Sequence, residues 1–104
     1  MGKILYWNRG AENILGYTAE EIIDYQKTDI LYPDEKSRAT AREAIAFILK
    51  NKKGLNGEIQ EITKDGKTIW VKLTLSPKLD ESGEVIGILG IGENISQRKV
   101  AETA

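Results

Sequence analysis

The sequence predicts an α+β fold with helices gathered on one face of an antiparallel sheet. Two observations predict it. Helical periodicity fills the first half of the 104 residues and gives way after Gly54 to strands that alternate with period two. Those strands are joined at Asp65-Gly66 and Asp80-Glu81-Ser82-Gly83, which are hairpin turn signals. A chain of this length makes one domain around one core.

The elements follow in order. Residues 4–7, Ile-Leu-Tyr-Trp, form an apolar run of strand length, and Asn8 after it is a helix N-cap. Ala11, Ile14 and Leu15 make one apolar stripe, which Gly16 closes as a left-handed cap. Thr18-Ala19-Glu20-Glu21 is a capping box, with Tyr17 and Ile22 placed as its hydrophobic staple, and predicts a short helix over 19–24. Residues 27–32 form a linking turn that buries Ile30 and Leu31. Pro33-Asp34-Glu35 opens the longest helix, with proline in the first turn and acids at the positive dipole end. Ala41, Ala44, Ile45, Ile48 and Leu49 supply its apolar face, Lys50, Lys52 and Lys53 complement its negative end, and Gly54 stops it.

Strands come next. Residues 57–64 read as a polar strand, followed by the Asp65-Gly66 turn. Ile69, Val71, Leu73 and Leu75 alternate with Trp70, Lys72, Thr74 and Ser76, giving a core face and an outer face, and Pro77 weakens or ends this strand. Residues 85–91 are apolar on both faces and predict a strand at the centre of the sheet, covered on both sides. Ser96 is placed to cap a last helix.

Composition narrows the function. The 40% hydrophobic and 30% charged residues describe a soluble globular chain, and 15 Lys+Arg against 16 Asp+Glu lack the basic excess that nucleic acid or an anionic membrane selects. No apolar run approaches the roughly 20 residues that span a bilayer. Met1-Gly2-Lys3 leads directly into Ile4 with no secretory segment, so a cytoplasmic location is expected. The chain has neither Cys nor His. That removes thiolate chemistry, the commonest general base and the usual proximal haem ligand, and the expectation is a module that is not an enzyme.

Three stretches resemble the PAS family. Gly2-Lys3-Ile4-Leu5-Tyr6-Trp7-Asn8, running on through Gly16-Tyr17-Thr18-Ala19-Glu20-Glu21-Ile22, is similar to the family's second strand and first helices. Lys64-Asp65-Gly66-Lys67 with Trp70-Val71 resembles its central hairpin. Gly83-Glu84-Val85-Ile86-Gly87, running to Asn94-Ile95-Ser96-Gln97-Arg98-Lys99, resembles its last strand and exit, where Asn94-Ile95-Ser96 stands in place of the family's usual Asp-Ile-Thr. The likeness covers nearly the whole chain. It implies a five-stranded antiparallel sheet in order 2-1-5-4-3, cupped on one face by helices. The family's first strand would precede Lys3, where only Met1 and Gly2 stand. A piece of a longer protein lacking that strand is therefore expected, with the gap closed by residues 4–7 pairing elsewhere or by strand exchange within a homodimer. Residues 1–95 would be the PAS domain and 96–104 the start of an output linker helix.

Function follows from the same resemblance in two forms. One is a small ligand bound noncovalently in the cup. Its lining would be Ile45, Ile48 and Leu49 on the long helix, Trp70, Leu73 and Leu75 on the hairpin, and Leu89 and Ile91 on the last strand. Plain core packing is the competing account of these residues. FAD is a candidate ligand, with the Trp70 indole stacked on its ring. A cysteinyl-flavin adduct, a thioester-linked chromophore and His-ligated haem are excluded by the absent residues. The other form is a ligand-free interaction module that dimerises. In both, Asn94, Ile95 and Ser96 would relay a change into the last helix, with Val100, Ala101 and Ala104 opening an apolar seam. The recipient would be a C-terminal effector, such as the histidine kinase of a bacterial or archaeal two-component system. Gly87, Gly90 and Gly92 do not form a dinucleotide loop: the third glycine is missing at Ile95, and the stretch is strand interior. They would let a helix or ligand approach the sheet closely.

Overall fold

The computed structural model describes residues 7–25 and 29–103. The strand expected over residues 4–7 lies outside these residues except for Trp7, whose indole N–H donates to the Tyr17 carbonyl at 2.8 Å.

Local chemistry sets the helix ends. The Asn8 side chain caps α1 (Arg9–Leu15) by accepting the Ala11 N–H at 2.8 Å. Gly16 ends α1 at φ 85°, where a side chain would be strained, and its N–H donates to the Glu12 carbonyl at 2.8 Å. The capping box of α2 (Ala19–Tyr25) is formed in both directions: Thr18 N–H to the Glu21 carboxylate at 3.0 Å, and Glu21 N–H to the Thr18 hydroxyl at 3.2 Å. A 3-10 turn, Asp29–Leu31, leads into α3 (Glu35–Asn51). Asp34 caps α3 by accepting the Ser37 N–H at 2.8 Å, so Pro33 stands just outside the helix and not in its first turn.

The end of α3 differs from expectation. Gly54 does not stop it; the left-handed residue is Lys52, at φ 57°, whose N–H donates to the Ile48 carbonyl at 2.8 Å. Gly54 has a different duty. A Cβ there would lie 2.6 Å from the Leu75 carbonyl oxygen, so only glycine lets the chain pass this close to the sheet.

Strands β1 (Leu55–Ile62), β2 (Thr68–Leu79) and β3 (Val85–Asn94) form an antiparallel sheet in the order β1-β2-β3. The order matches the 5-4-3 part of the expected sheet. Strand β2 continues through Pro77, contrary to expectation. Since β1 begins at Leu55 opposite Leu75, β2 has only β3 beside it at Pro77, and the missing N–H breaks no bond to β1. The larger correction concerns β3. It is an edge strand among the described residues and exposed over most of its length, so the expected cover on both sides is not found.

Register sorts the side chains between the two faces. Ile59 pairs with Val71, Glu61 with Ile69, and Gly57 with Leu73; across the other ladder Leu73 pairs with Gly92 and Leu75 with Gly90. Paired residues share a face. This inner face meets Leu15, Ile22, Leu31, Tyr32 and Ala41 in the core. Burying these side chains against one sheet face is what holds α1, α2, α3 and the 3-10 turn there. The last helix, α4 (Ser96–Thr103), departs from this layout and packs beside the outer face at Trp70 and Glu58.

Candidate functional site: the inner sheet face and the exit to the last helix

The inner face carries the cup. Ile48 of α3 is fully buried and Ile45 half-buried, and α3 lies against β1 and β2. Leu73 and Leu75 face the same side and are half-buried. These four are the sequence candidates that the fold brings to one side. At Gly57, beside Leu73, an added Cβ would meet nothing within 4 Å, so the face is open there.

The remaining candidates do not join them. Trp70 pairs with Gln60, one residue out of phase with Ile69 and Val71, so its indole stands on the outer face. Leu89 pairs with Ser76 and Ile91 with Thr74, which places both on that outer face as well, 55% and 63% exposed. Leu49 is 53% exposed on α3. Three neighbouring apolar residues in β3 cannot all face one way, and alternation assigns Ile88 inward and Leu89 and Ile91 outward.

Glu61 occupies the inner face, a position that reading residues 57–64 as simply polar does not reveal. The hairpin turn could have revealed it. The Thr63 N–H donates to the Lys67 carbonyl at 2.8 Å and Gly66, at φ 90°, completes the reversal, which fixes Glu61 opposite Ile69. Glu61 is only 5% exposed, and burial alone pushes its carboxyl up to about 7. Tyr32, also buried, has its hydroxyl pushed up by burial and then by the Glu61 and Asp29 carboxylates. Asp29 adds a buried carboxylate oxygen, Oδ1, that has no hydrogen-bond partner. Nothing in the sequence pattern joins Asp29 and Tyr32 to Glu61.

The outer face carries the exit. The Ile95 N–H donates to the Trp70 carbonyl at 2.9 Å, and the Ser96 hydroxyl accepts the Trp70 N–H at 3.0 Å. Ser96 therefore ties α4 to β2, where a cap for its own helix was expected. Asn94 takes the local turn bond instead, accepting the Ser96 N–H at 3.0 Å. Ile95 is buried, and its carbonyl receives the first helical bond from Lys99 at 3.0 Å. One turn on, the Lys99 ammonium lies 4.8 Å from the Trp70 ring centroid. Glu58, on the outer face of β1, pairs with Arg98 at 2.8 Å and with Lys99. The Lys99 hydrogen bond chiefly holds the Glu58 carboxyl below its usual range, and Glu58 in turn holds the Lys99 ammonium above its own.

Two further features complete the geometry. An open cleft of about 600 Å³ lies at the hairpin end, between Asn13 and Gly16 on one side and Lys64 and Asp65 on the other, reaching Ile69 and Asn94. Among the described residues no helix is long and apolar enough to cross a membrane.

Known proteins share this fold. The family model described as the PAS domain matches residues 1–97. Two-component system protein A of Emericella nidulans is 27% identical over 101 residues, 97% of this chain, and the chain spans 14% of that relative's length. The crystal structure of the PAS domain of a protein from Colwellia psychrerythraea superposes with a TM-score of 0.83 at 30% identity, covering 93% of this chain and 80% of that one. A light-oxygen-voltage domain studied with a flavin analogue gives a TM-score of 0.78 at 23% identity, covering 97% and 73%.

Proposed function

Because this chain belongs to the PAS domain family, we propose that it is the sensory segment of a larger signalling protein, in which a ligand on the inner face biases α4. The observation that carries this reading is the attachment of α4 to Trp70. Both backbone groups of Trp70 bond to the α4 entry, while its neighbours Ile69 and Val71 face the cup. A displacement of β2 from the inner side thus moves the anchor of α4, so two states of one element suffice and no chemical step is needed. The recipient would be a C-terminal effector such as a histidine kinase, in keeping with the two-component relative.

The ligand would be held noncovalently, since the chain has no Cys and no His. FAD is one candidate, in keeping with the light-oxygen-voltage neighbour. Trp70 would not be its stacking partner, because the indole stands on the outer face. Native mass spectrometry of the purified chain, with an absorbance scan, tests the reading. One equivalent of noncovalent added mass is expected. A bare chain, whose mass and stability cell extract leaves unchanged, would overturn it.

A second reading is favoured by Leu89 and Ile91, two exposed apolar side chains in a row on the outer face of β3, an edge strand among the described residues. They suit a ligand-free module that pairs with a second copy. Sedimentation across a hundredfold range of concentration would show the dimer, and Leu89→Lys should abolish it.

A further inference from the structure

The inner face holds an acidic cluster that the core does not satisfy. Asp29 lies in the 3-10 turn that packs on β1, and Tyr32, just after that turn, is near enough to both Asp29 and Glu61 on β1 for each carboxylate to act on its hydroxyl. Glu61 and Tyr32 are buried more than nine-tenths, and Asp29 Oδ1 is buried without a hydrogen bond. Among the described residues, two cations in this part of the fold are engaged elsewhere. Arg38 bonds the Glu35 carboxylate and the Tyr32 main-chain carbonyl, and Lys64 pairs with Glu21. The surroundings of Glu61 are otherwise apolar, with Ile59 two residues along β1 and Ile69 across the ladder. Two carboxylates and a phenol offer many acceptor sites and a single hydroxyl donor. Buried acceptors of this kind are costly until a donor reaches them, and a charged donor makes the strongest hydrogen bonds with them.

We propose that this cluster is the recognition end of the cup and takes a small organic ligand through a protonated amine, an inference that rests on the sensory reading above. The amine would bond Glu61 beside Tyr32, with the Asp29 carboxylate adding attraction from the far side of Tyr32, and its apolar tail would lie along Ile59 and Leu73 toward the open face at Gly57. An anionic head would be repelled by both carboxylates. A neutral hydroxyl would gain less than an ammonium, since it lacks the charge.

The test uses n-butylamine, n-butanol and butyrate, three heads on one tail, titrated into the intact chain at pH 8 and matched ionic strength. Backbone NMR shifts at Ile59, Glu61, Ile69 and Tyr32 report binding. The amine should bind at least about tenfold more tightly than the alcohol, with butyrate weakest. Glu61→Leu should remove that preference, and Glu61→Gln, which keeps shape and polarity, should weaken it. Equal binding of amine and alcohol would overturn the proposal while leaving a ligand-binding cup in place. So would a preference unchanged in both variants, which would trace it to surface carboxylates. No response at these four residues to any probe would overturn the proposal too. A retained natural ligand without a basic nitrogen would also sink it and would still uphold the sensory reading.

Discussion

The Ser96 hydroxyl accepts the Trp70 backbone N–H at 3.0 Å, which makes the first residue of α4 a side-chain partner of strand β2. That bond lies 26 residues apart in sequence and replaces the helix cap that Ser96 resembles. Ser96→Ala should leave a part-buried N–H without its partner and cost about 1–2 kcal/mol. Thermal unfolding should register this as a fall of several degrees, roughly 4–8 °C per kcal/mol in a domain this small. A change within error would mean that water replaces the hydroxyl without loss.

Much of this architecture is legible in the residues. Asn8, the Thr18–Glu21 box and Gly16 act within a few positions of themselves, so their backbone bonds follow from sequence spacing alone. Ser96 and Gly54 are different. A serine ahead of a helix and a glycine behind one match local caps, yet each is used by a partner far along the chain, Trp70 and Leu75. Local pattern carries no such partner. The shared inner side was legible where β2 alternates, at Leu73 and Leu75, and on α3 at Ile45 and Ile48. It was not legible at Leu89 and Ile91, because an apolar run on both faces reads alike in a central strand and an exposed edge strand. Trp70 stands outside the cup for a reason that the sequence does carry, since alternation with Ile69 and Val71 sets it on the other side.

The acidity of Glu61 gives stability an inverted dependence on pH. Its folded carboxyl is raised from 4.5 to about 7, so the folded state holds a proton that the unfolded chain has released. Stability should therefore be full below about pH 4.5 for this group and decline as pH rises to about 7, by on the order of 3 kcal/mol. Glu21 works the other way. Its carboxyl is held at about 2, chiefly by the Lys64 hydrogen bond, and its contribution is lost as pH falls from 4.5 toward 2. Denaturation midpoints from pH 3 to 9 should thus peak near pH 5, and Glu61→Leu should flatten the alkaline side and stabilise the chain at pH 8. A wild-type curve still rising between pH 5 and 7 would contradict the burial of Glu61.

Packing separates two neighbours on α3. Ile48 is fully buried and Leu49 mostly exposed. Ile48→Ala should cost about 2–5 kcal/mol, and Leu49→Ala no more than about 0.5 kcal/mol. Chemical denaturation of the two variants distinguishes them, and similar losses would place Leu49 in the core after all.

Gly54 admits the same kind of test. Gly54→Ala would drive a methyl group to 2.6 Å from the Leu75 carbonyl oxygen, and the backbone on one side must move. A loss of about 1–3 kcal/mol is expected, with NMR shifts centred on Leu75 and Ser76. An alanine variant as stable as the parent would show that the junction between α3 and β1 has slack.

Helix α4 is fastened to the outer face through Trp70 and Glu58 and should open separately from the sheet. Amide hydrogen exchange of the double variant Ser96→Ala/Glu58→Gln measures it directly. The α4 amides from Lys99 onward should lose at least about tenfold protection while Ile59 and Val71 in the sheet keep theirs. Unchanged protection in α4, or an equal loss throughout the sheet, would contradict it.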